Sequence, residues 1–499
     1  MNTKAFDDQP QLFGHPVGLY VLFFTELWER FSYYGMRAIL VLYITSKVMD
    51  ENPGLGWDDG SALALYGWYT MLVYVASIPG GIIADKITGQ KKAVFIGGVL
   101  LCLGHGILAV EAMWAFYAGL GLIIAGVGML KPNISTMVGG LYAEGDERRD
   151  KGFTIFYIGI NVGAFLSALI VGYVGENIGW HYGFGLAGIG MLLGQLVYMW
   201  GQKYLTGIGE LVEVGEDETQ PNLVMDIFKS ANSLILFGLG IALAVYMFVT
   251  GSWDYGLLWV ALAFALGVAA VIYNDGTRVE KDRAIVMYVS FLLIIVFWGA
   301  FEQAGGLMNL YAEEKTNRML GSFEVPASWF QSVNAFFIIT LGTAVAGFWY
   351  NWKLKGKEAS SIFKMALGVI IMGWGFMFMR FASQEFEATG SSAMYWLVLA
   401  YLFHTIGELC ASPVALSFIT KLAPIKYASF FMGAYFAASG LGNKVAGVIG
   451  EGAQEAGELA IFTGLVVFCT IVGALVLLML KPLKRLTHGA EDLQVESSH

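Results

Sequence analysis

The run VGLYVLFFTELWERFSYYGMRAILVLYITS, residues 17–46, decides how this chain folds. A helix needs about 20 apolar residues to cross a bilayer core, and this run is longer. Yet it carries Glu26, Glu29, Arg30 and Arg37 among its Leu, Phe, Ile and Val residues. At about 100° per residue, Glu26, Glu29, Arg30, Tyr33 and Arg37 fall on one stripe roughly 100° wide, with Tyr34 at its border. A charge at mid-bilayer costs roughly 2.5–3.5 kcal/mol, so the stripe faces protein or water, not lipid, while the opposite face is Leu, Phe, Ile and Val. Two readings stay open on the residues alone. The stripe can be a structural ion-pair network. It can also be a site, since two carboxylates, two cations and two aromatic hydroxyls suit a zwitterion and an exchangeable proton.

The rest of the chain repeats the apolar theme. Of 499 residues, 57% are apolar and 14% charged, against about a quarter charged in a soluble chain. Spans are expected near 17–46, 60–84, 92–110, 113–140, 153–174, 180–200, 231–250, 255–273, 284–311, 327–350, 362–382, 393–420, 427–450 and 459–480. The reading is therefore an all-α integral membrane protein with fourteen transmembrane helices. The polar N-terminus MNTKAFDDQPQLFGHP has no apolar stretch with a cleavage site, so no cleaved signal peptide is expected. Twenty-one of the 29 basic residues fall on one set of loops and tails, five (Lys47, Lys315, Arg318, Arg380, Lys444) on the opposite loops and span ends, and three (Arg30, Arg37, Lys131) inside spans. The positive-inside rule then puts both termini in the cytoplasm of a multi-pass protein of the cell (inner) membrane.

The longest polar break, 201–230, contains EVGEDETQPN and reads as a cytoplasmic linker. Six spans precede it. Taking the next two as an inserted hairpin leaves six more, so the expected division is 1–200 (first six-helix bundle), 201–282 (linker plus hairpin) and 283–499 (second bundle and tail). Gly81-x-x-x-Asp85-Lys86 after the second span has a faint echo in Gly347-x-x-x-Asn351 with Lys353, Lys355 and Lys357. Most of the 64 glycines need no role beyond close helix packing.

Isolated polar groups mark other spans: Lys131 before Pro132, where the proline is expected to disturb the helix, Tyr157 and Asn161 at i, i+4, Glu302 four residues after Trp298, Asn334, and Glu408 before Pro413. Asn161 and Asn334 suit interhelical hydrogen bonding as well as ligand binding. Arg30, Arg37 and Lys131 belong to the first half, Glu302 and Glu408 to the second. A cavity between the halves would be positive on one wall and negative on the other, which is the charge separation of a short peptide.

Several chemistries find no support. Cys102, Cys410 and Cys469 are odd in number, far apart and inside apolar runs, so disulfide and zinc readings are set aside. His15, His105, His181 and His404 have no metal-ligand spacing, and G-x-S-x-G and H-E-x-x-H are absent. No metal, cofactor or enzyme activity is expected, and the thinly spread basic residues give no nucleic-acid patch.

Glu26-Leu-Trp-Glu29-Arg30-Phe31-Ser-Tyr33-Tyr34-Gly35 resembles the ExxERFxYYG signature of the proton-dependent oligopeptide transporter family at every fixed position. GGIIADKITGQKK, GMLKPN, FTIFYIGINVGAF, FWGAFEQ, FQSVN and GELCASPVAL agree along nearly the whole chain. The first of these is also similar to the loop signature of the major facilitator superfamily, whose two six-helix halves bind substrate between them. The resemblance implies a proton-coupled symporter of di- and tripeptides working in the lipid bilayer. It implies that Arg37 and Lys131 receive the peptide carboxylate, with Tyr34 and Tyr74 at the same end. Glu408, Asn161 and Asn334 then receive the amino group, and Tyr33, Tyr157, Trp298 and Glu302 complete the binding set. Glu26, Glu29, Arg30, Lys131 and Glu302 form the proton-coupling set. Ala335 replaces a usual proline and Tyr435 a common tryptophan, which leaves peptide preference open. The competing readings are a symporter of the same fold for nitrate or a peptidomimetic drug, and more distantly a membrane-embedded enzyme. Glu408 argues against a purely anionic substrate.

Overall fold

The computed structural model describes residues 9–143, 146–211, 223–424 and 428–490. The first group of long helices is α1 (Val17–Thr45), α2 (Asp59–Thr88), α3 (Gln90–Leu108), α4 (Met113–Gly140), α5 (Arg148–Asn177) and α6 (Trp180–Gly201). Then come α7 (Ala231–Val249) and α8 (Trp253–Asp275). The last group is α9 (Arg278–Lys315), α10 (Phe330–Leu354), α11 (Ser361–Thr389), α12 (Met394–Leu422), α13 (Ala428–Ala456) and α14 (Glu458–Leu478). Each apolar run lies on one of these helices to within a few residues. Among the described residues, 12 helices are long and apolar enough to cross a membrane. The other two, α1 and α13, have 29 residues each. They fall short in apolarity: α1 carries its four charges, and α13 carries Lys444, Glu451 and Glu455 among Gly and Ala.

Local signals set the helix ends. Asp58 accepts a hydrogen bond from the Ser61 backbone N–H at 2.8 Å and opens α2. Thr277 and Glu280 form a reciprocal capping box at the start of α9. Ala84–Thr88 closes α2 with a π turn, followed by Gly89 at φ 74°, a left-handed conformation that favours glycine. Much of the polar break at 201–230 lies outside the described residues, as do Lys4 and Lys426.

Packing repeats along the chain. In the first group α1 lies on α5 and α6, α3 on α4 and α6, and α2 on α4. In the last group α9 lies on α13, α11 on α12 and α14, and α10 on α12. The two groups meet chiefly through α2 with α13 and α5 with α10. At the first of these seams Gly67 faces Gly447 so closely that a Cβ on either would sit 2.8 Å from the other's Cα.

The pair α7–α8 stands to one side. The most apolar window of α7 is only 17% buried, so its surface is left for lipid. Two polar ties hold the pair to the bundle: Tyr288 donates to the Ala265 carbonyl at 2.6 Å, and Lys444 pairs with Asp254 at 3.0 Å. Lys444 thus lies buried within α13, level with the first turn of α8 that carries Asp254. Burial became affordable because Asp254 and the Trp68 ring (5.1 Å) face it.

Pro132 was expected to disturb its helix, yet α4 runs through it unbroken. Proline lacks the N–H that would bond the Gly128 carbonyl, and it is at Gly128 that α2 packs closest: a Cβ on Gly80 would lie 2.0 Å from that oxygen. Gly80→Val is expected to lower stability by about 1–3 kcal/mol or more. Gly81→Ala, where nothing lies within 4 Å of an added Cβ, should stay within about 0.5 kcal/mol. Thermal unfolding in detergent distinguishes the two, and equal melting temperatures would show that the Gly80 contact is not tight.

Candidate functional site

Between the two groups, and extending along α8, lies a cavity of about 2860 Å³. A small-molecule pocket holds about 300–1,000 Å³, so this is an open vestibule. It reaches Asp85, Lys86 and Gln90 at one end of the molecule, and Arg37 and Glu302 line it further inside. Arg37 on α1 pairs with Glu302 at 2.9 Å and 3.2 Å, and the Tyr66 hydroxyl donates to the same carboxylate at 3.3 Å. These groups roof the cavity. Glu302 occupies a 3-10 turn, Glu302–Ala304, that interrupts α9 before it resumes at Leu307. The interruption lets the carboxylate reach across to α1. Close by, Asn309 and Gln331 both donate to the Ala38 carbonyl, at 2.8 and 3.3 Å.

Lower on α1, Arg30 pairs with Glu26 at 2.9 Å and with Glu29 at 2.5 Å, all three side chains buried. Arg30 also lies 5.8 Å from the ring centres of Tyr33 and Tyr34. Lys131 on α4 sits over the Tyr74 ring at 3.9 Å, and Tyr74 packs 6.3 Å from Trp298. Among the described residues no carboxylate lies within ion-pair distance of Lys131. Across the cavity, Glu408 on α12 accepts from Asn334 at 2.9 Å, and Asn334 also donates to Thr405 at 3.0 Å. No described cation lies within ion-pair distance of Glu408.

Glu26, Arg30, Tyr34, Arg37, Tyr74, Lys131, Tyr157, Asn161, Trp298, Glu302, Asn334 and Glu408 all line this one space. Tyr33 and Glu29 do not. Tyr33 is 3% exposed and Glu29 fully buried, both within the protein behind the cavity face. The stripe on α1 is as narrow as expected, but the cavity sees the edge that carries Tyr34. Asn161 donates to the Tyr157 carbonyl on its own helix at 2.9 Å. Tyr66, Thr405, Asn309 and Gln331 were missed. Thr405 stands three residues before Glu408, hence on the same face, and Tyr66 stands in an aromatic run with Tyr69 and Tyr74; both spacings were legible signals.

The fold and cavity define a polytopic membrane transporter with its site between two helical groups. The POT family model matches residues 91–460. The chain is 38% identical to the uncharacterized transporter YclF of Bacillus subtilis (strain 168), over 98% of this chain and 99% of that protein. It is 35% identical to a di-/tripeptide transporter of Lactococcus lactis subsp. cremoris, over 95% and 97%. Its structure is similar to that of a peptide transporter POT in complex with sulfate, with TM-score 0.85 and 34% identity, covering 97% of this chain and 99% of that one. The chain belongs to the POT family, whose members are transporters and not enzymes.

Removing one member of a buried ion pair strands the other. Glu302→Ala is expected to lower stability by about 3–5 kcal/mol, and Arg37→Met combined with Glu302→Leu to restore much of that loss. Chemical or thermal unfolding of the three proteins tests it. A single variant as stable as the parent would show that the pair ties nothing together.

Proposed function

We propose that this chain is a proton-coupled symporter that imports di- and tripeptides by alternating access. The observation that carries this reading is a pair of charges unmatched among the described residues: Lys131 on one wall has no carboxylate and Glu408 on the other no cation at ion-pair distance. A short peptide supplies both missing partners. Its carboxylate reaches Lys131 beside Tyr34 and Tyr74, and its ammonium reaches Glu408 with Asn334 and Asn161. Tyr157 and Trp298 line the space between. Nitrate would satisfy Lys131 and leave Glu408 unanswered.

In this reading fourteen helices cross the inner membrane and both termini are cytoplasmic. Residues 1–200 and 283–499 form the two six-helix bundles, and 201–282 the linker and hairpin. The repeated packing of the two helix groups supports that division. The end of the cavity at Asp85 and Lys86 then opens to the cytoplasm, and the Arg37–Glu302 roof closes the outside. Rocking about the α2–α13 and α5–α10 seams moves Glu302 away from Arg37. The carboxylates Glu26 and Glu29 share Arg30 near Lys131, so substrate at Lys131 alters their surroundings. Proton affinity must differ between the two states, because a ligand shifts an equilibrium only through differential binding.

Liposomes with an inward proton gradient and inside-negative potential should accumulate labelled dialanine, and a protonophore should collapse that accumulation. Uptake that persists unchanged without the gradient would rule out proton coupling. Glu26→Gln or Glu29→Gln should abolish accumulation yet keep counterflow exchange; normal accumulation would remove both residues from coupling. Lys131→Met should weaken dialanine by about tenfold or more, the strength of a charged hydrogen bond. It should also erase the preference for dialanine over its C-terminal amide. A preference that survives would place the carboxylate elsewhere.

A further inference from the structure

The outer end of α5 carries a carboxylate with no part in the site described above. Glu176, 10% exposed, reaches from the first helix group to the start of the last group's α10. It accepts the backbone N–H groups of Ala327 at 2.8 Å and Ser328 at 3.0 Å, together with the Ser328 hydroxyl. Those N–H groups belong to the one-turn helix Ala327–Trp329 that leads into α10, where unpaired donors and the helix dipole favour an anion. Arg318, in the segment between α9 and α10, lies 3.8 Å from Glu176 and is itself held by Glu313 at 2.8 Å and Glu324 at 3.0 Å. These are the charged groups that face Glu176 from the elements packed on it.

Below this contact the seam continues in neutral bonds. Trp329 donates to the Leu169 carbonyl at 3.0 Å and Ser332 to the Phe165 carbonyl at 2.8 Å. Glu176 is therefore the charged end of an otherwise neutral seam, and it lies at the face opposite the cavity mouth. We propose that Glu176 is a proton-sensitive latch: ionised, it clamps α10 to α5 and holds this face shut, and protonated from outside, it lets the seam part. A carboxylate gripped by several donors is far stronger than its neutral acid in that role. Acid would then favour opening on the side from which protons arrive. The inference rests on the orientation and alternating access proposed above, and assigns Glu176 a positioning role, since it touches no substrate.

Spin labels at Tyr182→Cys and Met319→Cys, both exposed at this face, report its opening by pulsed dipolar spectroscopy in liposomes. Cys102, Cys410 and Cys469 lie within helices, and the otherwise unaltered chain gives the labelling background. The parent should show one short separation in neutral buffer and gain a longer one in acid. In Glu176→Gln the longer population should already be raised about tenfold at neutral pH, as expected from losing a charged hydrogen bond, and acid should add little. Ser328→Ala should shift the same way by less while keeping its acid response. A Glu176→Gln distribution that matches the parent, or that keeps the parent's full acid response, would overturn the latch. If the parent's separation stays fixed under both acid and saturating dialanine, alternating access itself fails, and the latch with it.

Discussion

A charge cannot be left facing hydrocarbon, and α1 carries four of them. That constraint organises the molecule. Arg30 is enclosed by Glu26 and Glu29 on its own helix, so its charge is answered within α1, with one carboxylate in excess. Arg37 has no carboxylate of its own and must find one elsewhere. It finds Glu302, 265 residues away, through an interruption that α9 needs in order to present that side chain. The first ion cluster therefore stabilises a helix, while the second joins two groups of helices.

The two seams show how such a joint can hold and still move. At α2–α13 the backbones touch through Gly67 and Gly447, and Asn443 donates to the Thr70 carbonyl at 3.4 Å. At α5–α10 the bonds are hydroxyl, indole and carboxylate donors and acceptors, each satisfiable by water once the face opens. Within each group glycines are likewise set against neighbouring backbones, and large apolar side chains fill the rest. Rigid groups joined by smooth or wettable seams suit rocking better than local unfolding.

Much of this was legible in the sequence, because the bilayer simplifies the code. Span length and apolarity located the helices, and charges inside spans located the cavity wall. What stayed hidden depends on distance between helices. The opposite-wall picture counted Glu302 with the free negative charges, but the fold spends it on Arg37 and leaves Glu408 alone. Tyr33 and Tyr34 are neighbours in a signature, and a few tens of degrees of helix rotation decide which sees the cavity. The burial of Lys444 stayed hidden because its partner Asp254 lies in the hairpin, whose placement no periodicity encodes. Pro132 looked like a break because nothing in one helix reveals the close approach of another at Gly128.

The electrostatic ledger of the cavity sets its selectivity. Arg30 and Arg37 are matched by carboxylates of the protein, so neither attracts a solute strongly while those pairs are intact. Lys131 is softened by the face of Tyr74, an attraction worth about 0.5–2 kcal/mol, well short of a full counter-charge. Glu408 is held by neutral donors alone, through Asn334 and its partner Thr405. Among the described residues Lys131 has no carboxylate and Glu408 no cation at ion-pair distance, and the Arg30 cluster keeps one carboxylate in excess, so a dipolar ion answers both facing walls where a simple ion answers one. The side chains between these poles, Tyr157 and Trp298, offer shape and an apolar surface with little further charge. A site of this kind reads the two ends of its ligand and is tolerant of what lies between them.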